Sequence, residues 1–351
     1  MSGGVDSSYT AYLLQKQGHQ VVGLTMAIFS SEAGSVRGGG HGCYGPNEQD
    51  DIESARRVCE QLGIEHHTLD LRQPYREAVL HYFKAEYLRG RTPNPCTRCN
   101  PAVKFGSLLQ RAAEQGVDFD RFATGHYARI VYDEQSRRYR LKRGLDAKKD
   151  QSYFLYGLQE SQLERLLFPL GELPKEEVKR AAARASLEVA KRPESQNFVE
   201  GGHAGLFSAE RVSPGPIENR SGKRIGTHRG IVHYTVGQRR GLGIGGGEPL
   251  YVLRIDAACN RLVVGPRQAL FSCELVAERT RFLGIDPPSK PLRAQAQIRH
   301  NHAAAPGELS PLGEGKYRFL FDLPQLSITP GQSAVFYQGE TLLGGGEIGQ
   351  G

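Results

Sequence analysis

The chain has 351 residues, with 45 Lys and Arg against 38 Asp and Glu, a net charge of +7 and six cysteines. That length holds about two or three domains, since one core rarely grows beyond ~250–300 residues. Nothing reads as a signal peptide or an apolar run of about 18 residues, and mean hydropathy is negative; this argues against a membrane span and predicts a soluble, cytoplasmic protein with reduced thiols whose surplus positive charge suits an anionic partner, nucleic acid first.

The chain opens "MSGGVDSSYT". Glycines this close let the backbone turn sharply and aim several N–H groups into one concavity, with Ser7 and Ser8 able to start a helix behind it. The stretch "SSYTAYLLQKQG" has helical spacing and ends on Gly18, and "HQVVGLTM" then reads as a buried strand. The opening is therefore read as an anion-holding loop at a helix N-terminus. It is not the common P-loop, because no Lys-Ser/Thr follows the last glycine. "NEQDDIESARRVCEQLG" predicts an amphipathic helix with Ile52, Ala55, Val58 and Leu62 on one face. Apolar runs in "EHHTLDL" and "FDRFATGHYARI" alternate with the helix "FGSLLQRAAEQG". Strand and helix in alternation predict an α/β domain with a parallel sheet, ligands sitting at the carboxyl ends of its strands. Residues 151–190 read as helical, in the pieces "SQLERLLF" and "KEEVKRAAARASL". Beyond "RPESQNFVEGG", Gly, Pro and β-branched residues predict two small all-β modules joined near residue 265. The expected domains are 1–200, 201–265 and 266–351.

The cysteines divide by context. Cys59, on the amphipathic helix, and Cys273, alternating with Phe271 and Leu275 as on a strand, are expected in the core; Cys259 falls in a turn. Cys43 in "HGCYGPNEQ" and the pair Cys96 and Cys99 in "GRTPNPCTRCNPAVKFG" stand in loops rich in Gly, Pro and Asn, and are the candidates for chemistry. In "TVGQRRGLGIGG", Arg239 and Arg240 lie in a glycine-rich loop that can approach a phosphate backbone closely.

"SGGVDSS" resembles the loop of the PP-loop ATP pyrophosphatases, which activate a carbonyl-type oxygen by adenylation. With "GRTPNPCTRCNPAVKFG", "ATGHYARI", "LKRGLDAKKDQSYFLYGL", "TVGQRRGLGIGG" and "TPGQSAVFYQGETLLGGG", in order over nearly the whole chain, it is similar to the bacterial tRNA-specific 2-thiouridylase family. The resemblance implies a Rossmann-like PP-loop catalytic domain followed by two β domains, and an enzyme that replaces O2 of the wobble uridine by sulfur. A uracil oxygen leaves poorly and AMP leaves well, so adenylate transfer precedes sulfur attack. By the same resemblance Ser2, Gly3, Gly4, Val5, Asp6, Ser7 and Ser8 hold the ATP phosphates, with Met26 and Gly125 near adenine and ribose. Mg²⁺ offsets the phosphate charge, with Asp6 as a candidate ligand. Asn94, Pro95, Cys96, Lys149, Asp150, Gln151, Arg239, Arg240, Arg299 and His300 face tRNA. A sulfur-donating carrier protein or cysteine desulfurase system is the implied partner, with no membrane.

The chain also departs from the family. Cys99 fits the first family cysteine, but the second, expected after the Glu-Ser of "PESQNF", is absent, and Cys96 stands where the family has an acid. Two mechanisms stay open. Cys99 carries or attacks a persulfide and Cys96 resolves the disulfide; or Cys43, Cys96 and Cys99 ligate a [4Fe–4S] cluster whose fourth iron binds hydrosulfide. Zinc with His41 as fourth ligand, and three loop cysteines with no shared site, are further readings. Family members also begin with an apolar strand before Ser-Gly-Gly, in mid-sheet; here Met1 precedes Ser2, so a start about ten residues upstream is expected from consistency across levels. The rival functions are another PP-loop adenylating ligase or amidotransferase, and a non-catalytic tRNA-binding relative.

Overall fold

A computed structural model describes residues 1–30, 42–191, 197–199, 203–207, 212–245 and 247–350. Gly3, at φ 66°, turns the chain into α1 (Val5–Lys16), a conformation a side chain would resist. Val5, Ser8, Ala11 and Leu14 recur on one face of α1 and are among its buried residues. β1 (Val22–Ala27), β2 (Gly42–Tyr44), α2 (Glu48–Leu62) and β3 (Glu65–Asp70) follow. Glu48, in the first turn of α2, accepts the N–H groups of Ile28 (2.7 Å) and Phe29 (2.8 Å), tying that helix to the carboxyl end of β1. Ala55, Val58 and Cys59 of α2 are fully buried, as the amphipathic reading expects.

α3 (Arg72–Tyr75), a π-helical turn (Arg76–His81) and α4 (Tyr82–Leu88) form one irregular helix. After the loop 89–95, α5 (Cys96–Cys99) runs into a second π-helical segment (Asn100–Ser107) and α6 (Leu108–Glu114). Pro101, which has no N–H to give to an α-helical ladder, stands at the start of that segment. β4 (Phe122–Ala123), β5 (Ala128–Asp133), β6 (Arg138–Arg143), α7 (Glu160–Leu163), β7 (Leu166–Leu167), α8 (Lys175–Arg184) and β8 (Asn197–Val199) complete this part. The helix read at "SQLERLLF" is thus one turn followed by a short strand. Its Leu166–Leu167 pair is drawn into a ladder with β4, tertiary pairing overriding local helical spacing.

Among the described residues the parallel strands of this part form three separate pairs, β1–β3, β2–β8 and β4–β7. The Met1 amine donates to the Leu24 carbonyl on β1. β9 (Gly215–Asn219), β10 (Arg224–His228), β11 (Tyr251–Asp256) and β12 (Arg261–Gly265) make a four-stranded sheet in the order β10-β9-β12-β11. β13 (Phe271–Phe282), β14 (Leu292–Gln297), β15 (Ala305–Gly313), β16 (Lys316–Leu326), β17 (Ser333–Gln338) and β18 (Thr341–Ile348) form a barrel that closes by pairing β13 with β18. The hairpin β5–β6 joins that barrel sheet through Thr341 opposite Lys142 rather than the parallel ladders. Cys273 is exposed, against its expected place in the core: the register slips between Ser272 and Glu274, and an extra residue in a strand breaks the inward-outward alternation.

The cores cross the joints. One apolar cluster unites Leu24, Leu69, Val79 and Phe83 with Ile217, Val252 and Leu262 of the four-stranded sheet. Another unites Phe105, Tyr153 and Leu155 with Val335, Tyr337 and Leu342 of the barrel. The loop 89–95, between α4 and α5, touches both β parts: Gly90 abuts Ile255, Thr92 Oγ1 bonds Thr235 Oγ1 (3.3 Å), and Thr92 N donates to the Pro330 carbonyl (2.8 Å).

Candidate nucleotide and sulfur site

The Ser2–Ser8 loop is braced by its own hydroxyls. Ser2 N donates to Ser7 Oγ (3.1 Å), and Ser7 Oγ (3.1 Å) and Ser8 Oγ (2.9 Å) donate to the Gly4 carbonyl. From α2, Ser54 Oγ donates to the Gly3 carbonyl at 3.2 Å. Gly4 caps α1 in an extended conformation with no side-chain bond to the first turn, so no side chain caps the leading N–H groups of α1. Such an end suits an anion, through free donors and the positive pole of the helix. Gly125 backs directly onto this turn: a Cβ there would lie 2.8 Å from the Asp6 carbonyl carbon. Met26 stands at the carboxyl end of β1.

Asp6 has a different task from the metal ligand expected of it. Lys175 Nζ, 3% exposed, donates to both its carboxylate oxygens (2.6 and 2.7 Å), and Tyr127 OH donates to one of them (2.9 Å). A carboxylate held by an ammonium on both oxygens is spent on fixing α1 to α8, so Asp6 does not fit as a Mg²⁺ ligand. Lys175, the first residue of α8, had no signal in the sequence beyond its position in a helical run.

Cys96 and Cys99 bracket α5, a single turn started by Asn94, whose Oδ1 accepts Cys96 N (3.1 Å) and whose carbonyl accepts Thr97 Oγ1 (2.8 Å). Pro95 precedes that turn with its fixed φ already helical. Burial raises the Cys99 thiol to about 11 and the Cys96 thiol to about 12; Lys104 works against it at both, and Cys43 adds to it at both. Cys43 is exposed by its own surface, yet the protein around its thiol also pushes it upward. Tyr44 beside it stacks on Tyr75 at 5.6 Å, and Tyr75 feels all three thiols, which therefore share one locality. Among the described residues, however, no three His, Cys, Asp or Glu side chains gather closely enough to hold a metal ion. The residues present do not fit a cluster on Cys43, Cys96 and Cys99; three thiols that share an electrostatic neighbourhood need not converge on one ion. His41 and most of "PESQNF" lie outside the described residues.

Lys104 carried no mark in the sequence apart from its place one turn beyond Cys99. Half-buried on the π-helical segment, its charge acts on Cys43, Cys96, Cys99, on buried His126 and on the Met1 amine. Phe105 next to it packs its ring on His126 at 5.6 Å, and Gly125 beside His126 abuts Asp6, so the helical run from the thiols reaches the nucleotide loop.

Apart from Asn94, Pro95 and Cys96 at the thiol turn, the residues assigned to tRNA fall into two groups. Asp150 is buried and accepts from Arg143 (2.8 Å), Gly144 N (3.0 Å) and Ser152 (3.1 and 3.0 Å), so its carboxylate shapes the turn between Lys149 and Gln151, both half-buried. Gln151 Oε1 in turn accepts Tyr127 N. His300 packs its ring against Phe154 at 4.4 Å and leaves a buried Nδ1 without a partner, while Arg299 donates to the Leu326 carbonyl at 3.1 Å. Residues about 150 positions apart in the chain thus meet on one face. Arg239 and Arg240 are exposed between Gly237 (φ 87°) and Gly241 (φ 78°), at a separate place on the four-stranded domain.

Family models agree with this arrangement along the whole chain. Residues 1–200 match the tRNA methyl transferase HUP domain, 201–266 the tRNA methyl transferase PRC-barrel domain and 272–348 the aminomethyltransferase beta-barrel domain. The tRNA-specific 2-thiouridylase MnmA of Acetivibrio thermocellus is 44% identical, over 99% of this chain and 97% of the relative. Those of Desulforamulus reducens (45%; 99% and 95%) and Trichormus variabilis (44%; 100% and 97%) are similar over the same extent. With an uncapped helix end for phosphates, a thiol-bearing turn beside it and full-length likeness of this degree, the chain belongs to the tRNA-specific 2-thiouridylase family.

Proposed function

We propose that this chain is an ATP-dependent tRNA sulfurtransferase that makes 2-thiouridine at the wobble position. The observation that carries the reading is the neighbourhood of the two halves of such a reaction: Phe105, on the helical run that begins with the Cys96–Cys99 turn, packs on His126 at 5.6 Å, and Gly125 next to His126 abuts Asp6 in the phosphate loop. ATP lies with its phosphates on the free N–H groups of α1, and its α-phosphorus is attacked by O2 of the uridine, releasing pyrophosphate. A divalent cation on the phosphate oxygens offsets their charge; Asp6, held by Lys175, does not hold it. The adenylated oxygen then leaves as AMP when a thiol-borne sulfur attacks C2. Cys99 carries that sulfur as a persulfide received from a donor protein, its outer sulfur bonds C2 as AMP leaves, and Cys96, one turn away, attacks Cys99 Sγ to release the 2-thio group, leaving a Cys96–Cys99 disulfide that an external thiol reductant reopens. Asn94, Pro95 and Cys96 at the thiol turn, with Lys149, Gln151, Arg239, Arg240, Arg299 and His300, contact the RNA, the exposed arginines through phosphates, while buried Asp150 orders the turn beneath. The domain bounds are 1–200, 201–265 and 266–351, with apolar cores shared across both joints.

The test is reconstitution of the purified chain with ATP, unmodified tRNA and a persulfide donor, with 2-thiouridine measured by mass spectrometry after nuclease digestion. We expect AMP, pyrophosphate and 2-thiouridine in equal amounts. Cys99→Ser should abolish thiolation while pyrophosphate release from ATP and tRNA persists. ATP left intact in the presence of tRNA and donor would refute the proposal.

A further inference from the structure

The two cysteines of α5 are separated by Thr97 and Arg98, and Arg98 does not point into solvent to serve as a free cation. Its guanidinium bonds the carboxylate of Glu347, on the last barrel strand β18, and lies over the Tyr82 ring at 4.4 Å from its centre. Glu347 is 5% exposed and is also approached by Arg91 (3.7 Å) and bonded by Arg279. Arg91 in turn bonds Glu86, itself 3% exposed, at 2.5 Å, and Arg89 bonds the other oxygen of Glu86 at 3.0 Å. The backbone leading to the cysteines is seated on the same part of the barrel. Thr92 N donates to the Pro330 carbonyl (2.8 Å), Gln332 Nε2 donates to the Thr92 carbonyl (2.7 Å), and Arg91 donates to the Ile348 carbonyl (3.2 Å). Gly331 is close enough that a Cβ would lie 2.8 Å from Thr92 N.

We propose that the Arg98–Glu347 pair is a positioning device by which the C-terminal barrel sets the orientation of the turn carrying Cys96 and Cys99. The inference rests on the reading of those two thiols as the sulfur-handling groups. α5 is the leading turn of a helical run that continues to Glu114, and a leading turn, whose N–H groups lack intrahelical partners, is the end that frays, while an orientation error of about 1 Å at a reacting group is costly. The charge in the middle of this turn is anchored instead to a buried carboxylate 249 residues away. A buried carboxylate that meets three arginines is costly to leave unpaired, which makes the docked arrangement strongly preferred. The barrel therefore forms one wall of the sulfur site, and the site is complete only with the barrel docked. Arg98 and Glu347 are positioning residues, acting through α5 and touching no reacting atom.

The test compares full-length wild type, Arg98→Met, Arg98→Lys and Glu347→Gln. Readouts are the melting temperature, the iodoacetamide alkylation rate of Cys96 and Cys99 by peptide mass spectrometry, the tRNA Kd, and single-turnover thiolation at saturating tRNA. Arg98→Met keeps the length and apolar stem of the side chain, and Arg98 is 37% exposed, so the fold is retained where Glu347→Gln fails to hold it. We expect Arg98→Met to alkylate about fivefold or more faster at both thiols, to lose about tenfold in thiolation rate with tRNA Kd within about twofold, and Arg98→Lys to recover part of both. Unchanged alkylation with unchanged thiolation overturns the proposal. A weakened tRNA Kd with full rate at saturation overturns it in favour of Arg98 as an RNA contact. If the wild type makes no 2-thiouridine, the functional reading fails by itself, and the alkylation comparison still decides whether Arg98 orders the turn.

Discussion

At the scale of single residues, the protonation of the thiols follows from where α5 sits. Burial raises Cys99 from its usual 9.0 to about 11 and Cys96 to about 12, with Lys104 opposing it. In the free protein both are thiols at neutral pH, and their activation must come with ligands or with transfer of a persulfide. The same shifts set a pH dependence of stability. Below pH 9 folded and unfolded chains both keep the Cys99 proton; between about 9 and 11 the unfolded chain has lost it and the folded chain has not, so stability falls as pH rises through that window. Urea denaturation of wild type and Cys99→Ser at pH 8 and pH 10 should show the wild type losing roughly 1 kcal/mol more than the variant over that interval. Equal losses would mean that Cys99 is not held protonated by its surroundings. The candidacy of Cys99 was legible because a Cys-x-x-Cys between Pro-rich turns is a local pattern. Its environment was not, because Tyr75 and Cys43 reach it through tertiary packing and Lys104 through a π-helical turn.

At the scale of elements, the nucleotide loop depends on how closely β4 and α1 approach. Gly125 follows β4, and the Asp6 carbonyl carbon would stand 2.8 Å from a Cβ placed on it, with the Asp6 Cβ at 2.9 Å. Neither atom is the end of a flexible chain, so Gly125→Ala must push the first turn of α1 away. Asp6 cannot yield freely, because Lys175 and Tyr127 hold its carboxylate. We expect Gly125→Ala to destabilise the protein by about 1–3 kcal/mol, the usual cost of overpacking, and to weaken ATP binding. Thermal melts with and without ATP and Mg²⁺ check this: a variant that melts with the wild type and gains as much from nucleotide would contradict it. The loop itself was readable from sequence, since Gly3 and Gly4 before Asp6 and two serines dictate a local turn and helix start. The elements that were misread are those where pairing partners decide. Leu166–Leu167 has helical spacing and lies in a ladder with Phe122–Ala123, and Cys273 was turned outward by the slip in register beside it. The hairpin β5–β6 looks like part of an α/β domain in sequence, and only its partner, Thr341, shows that it extends the barrel sheet.

At the scale of the whole molecule, the proposed RNA contacts lie on two kinds of surface. Lys149, Gln151 and His300 gather where the first part meets the barrel, supported from beneath by the buried Asp150–Arg143 pair, whose guanidinium lies 3.6 Å from the centre of the Tyr337 ring. Their side chains are partly enclosed and fixed by neighbours, which suits contacts that depend on shape. Arg239 and Arg240 are different: exposed, flanked by two glycines of positive φ, and next to Gln238, whose side-chain oxygen accepts the Thr235 N–H. Charges so placed suit a phosphate backbone and carry no sequence information. Replacing both by Ala should therefore weaken binding of cognate and non-cognate tRNA alike. An arginine that neutralises one phosphate contributes about one unit to the slope of log K against log salt, so the double variant should show a slope shallower by up to about two. Filter binding from low to moderate salt measures this directly. Because the missing attraction is electrostatic, the defect should be largest at low salt and shrink as counterions screen the wild type as well. A slope equal to that of the wild type would place these arginines off the RNA path, and would leave the enclosed face beside the barrel to position tRNA against Cys96 and Cys99 without them.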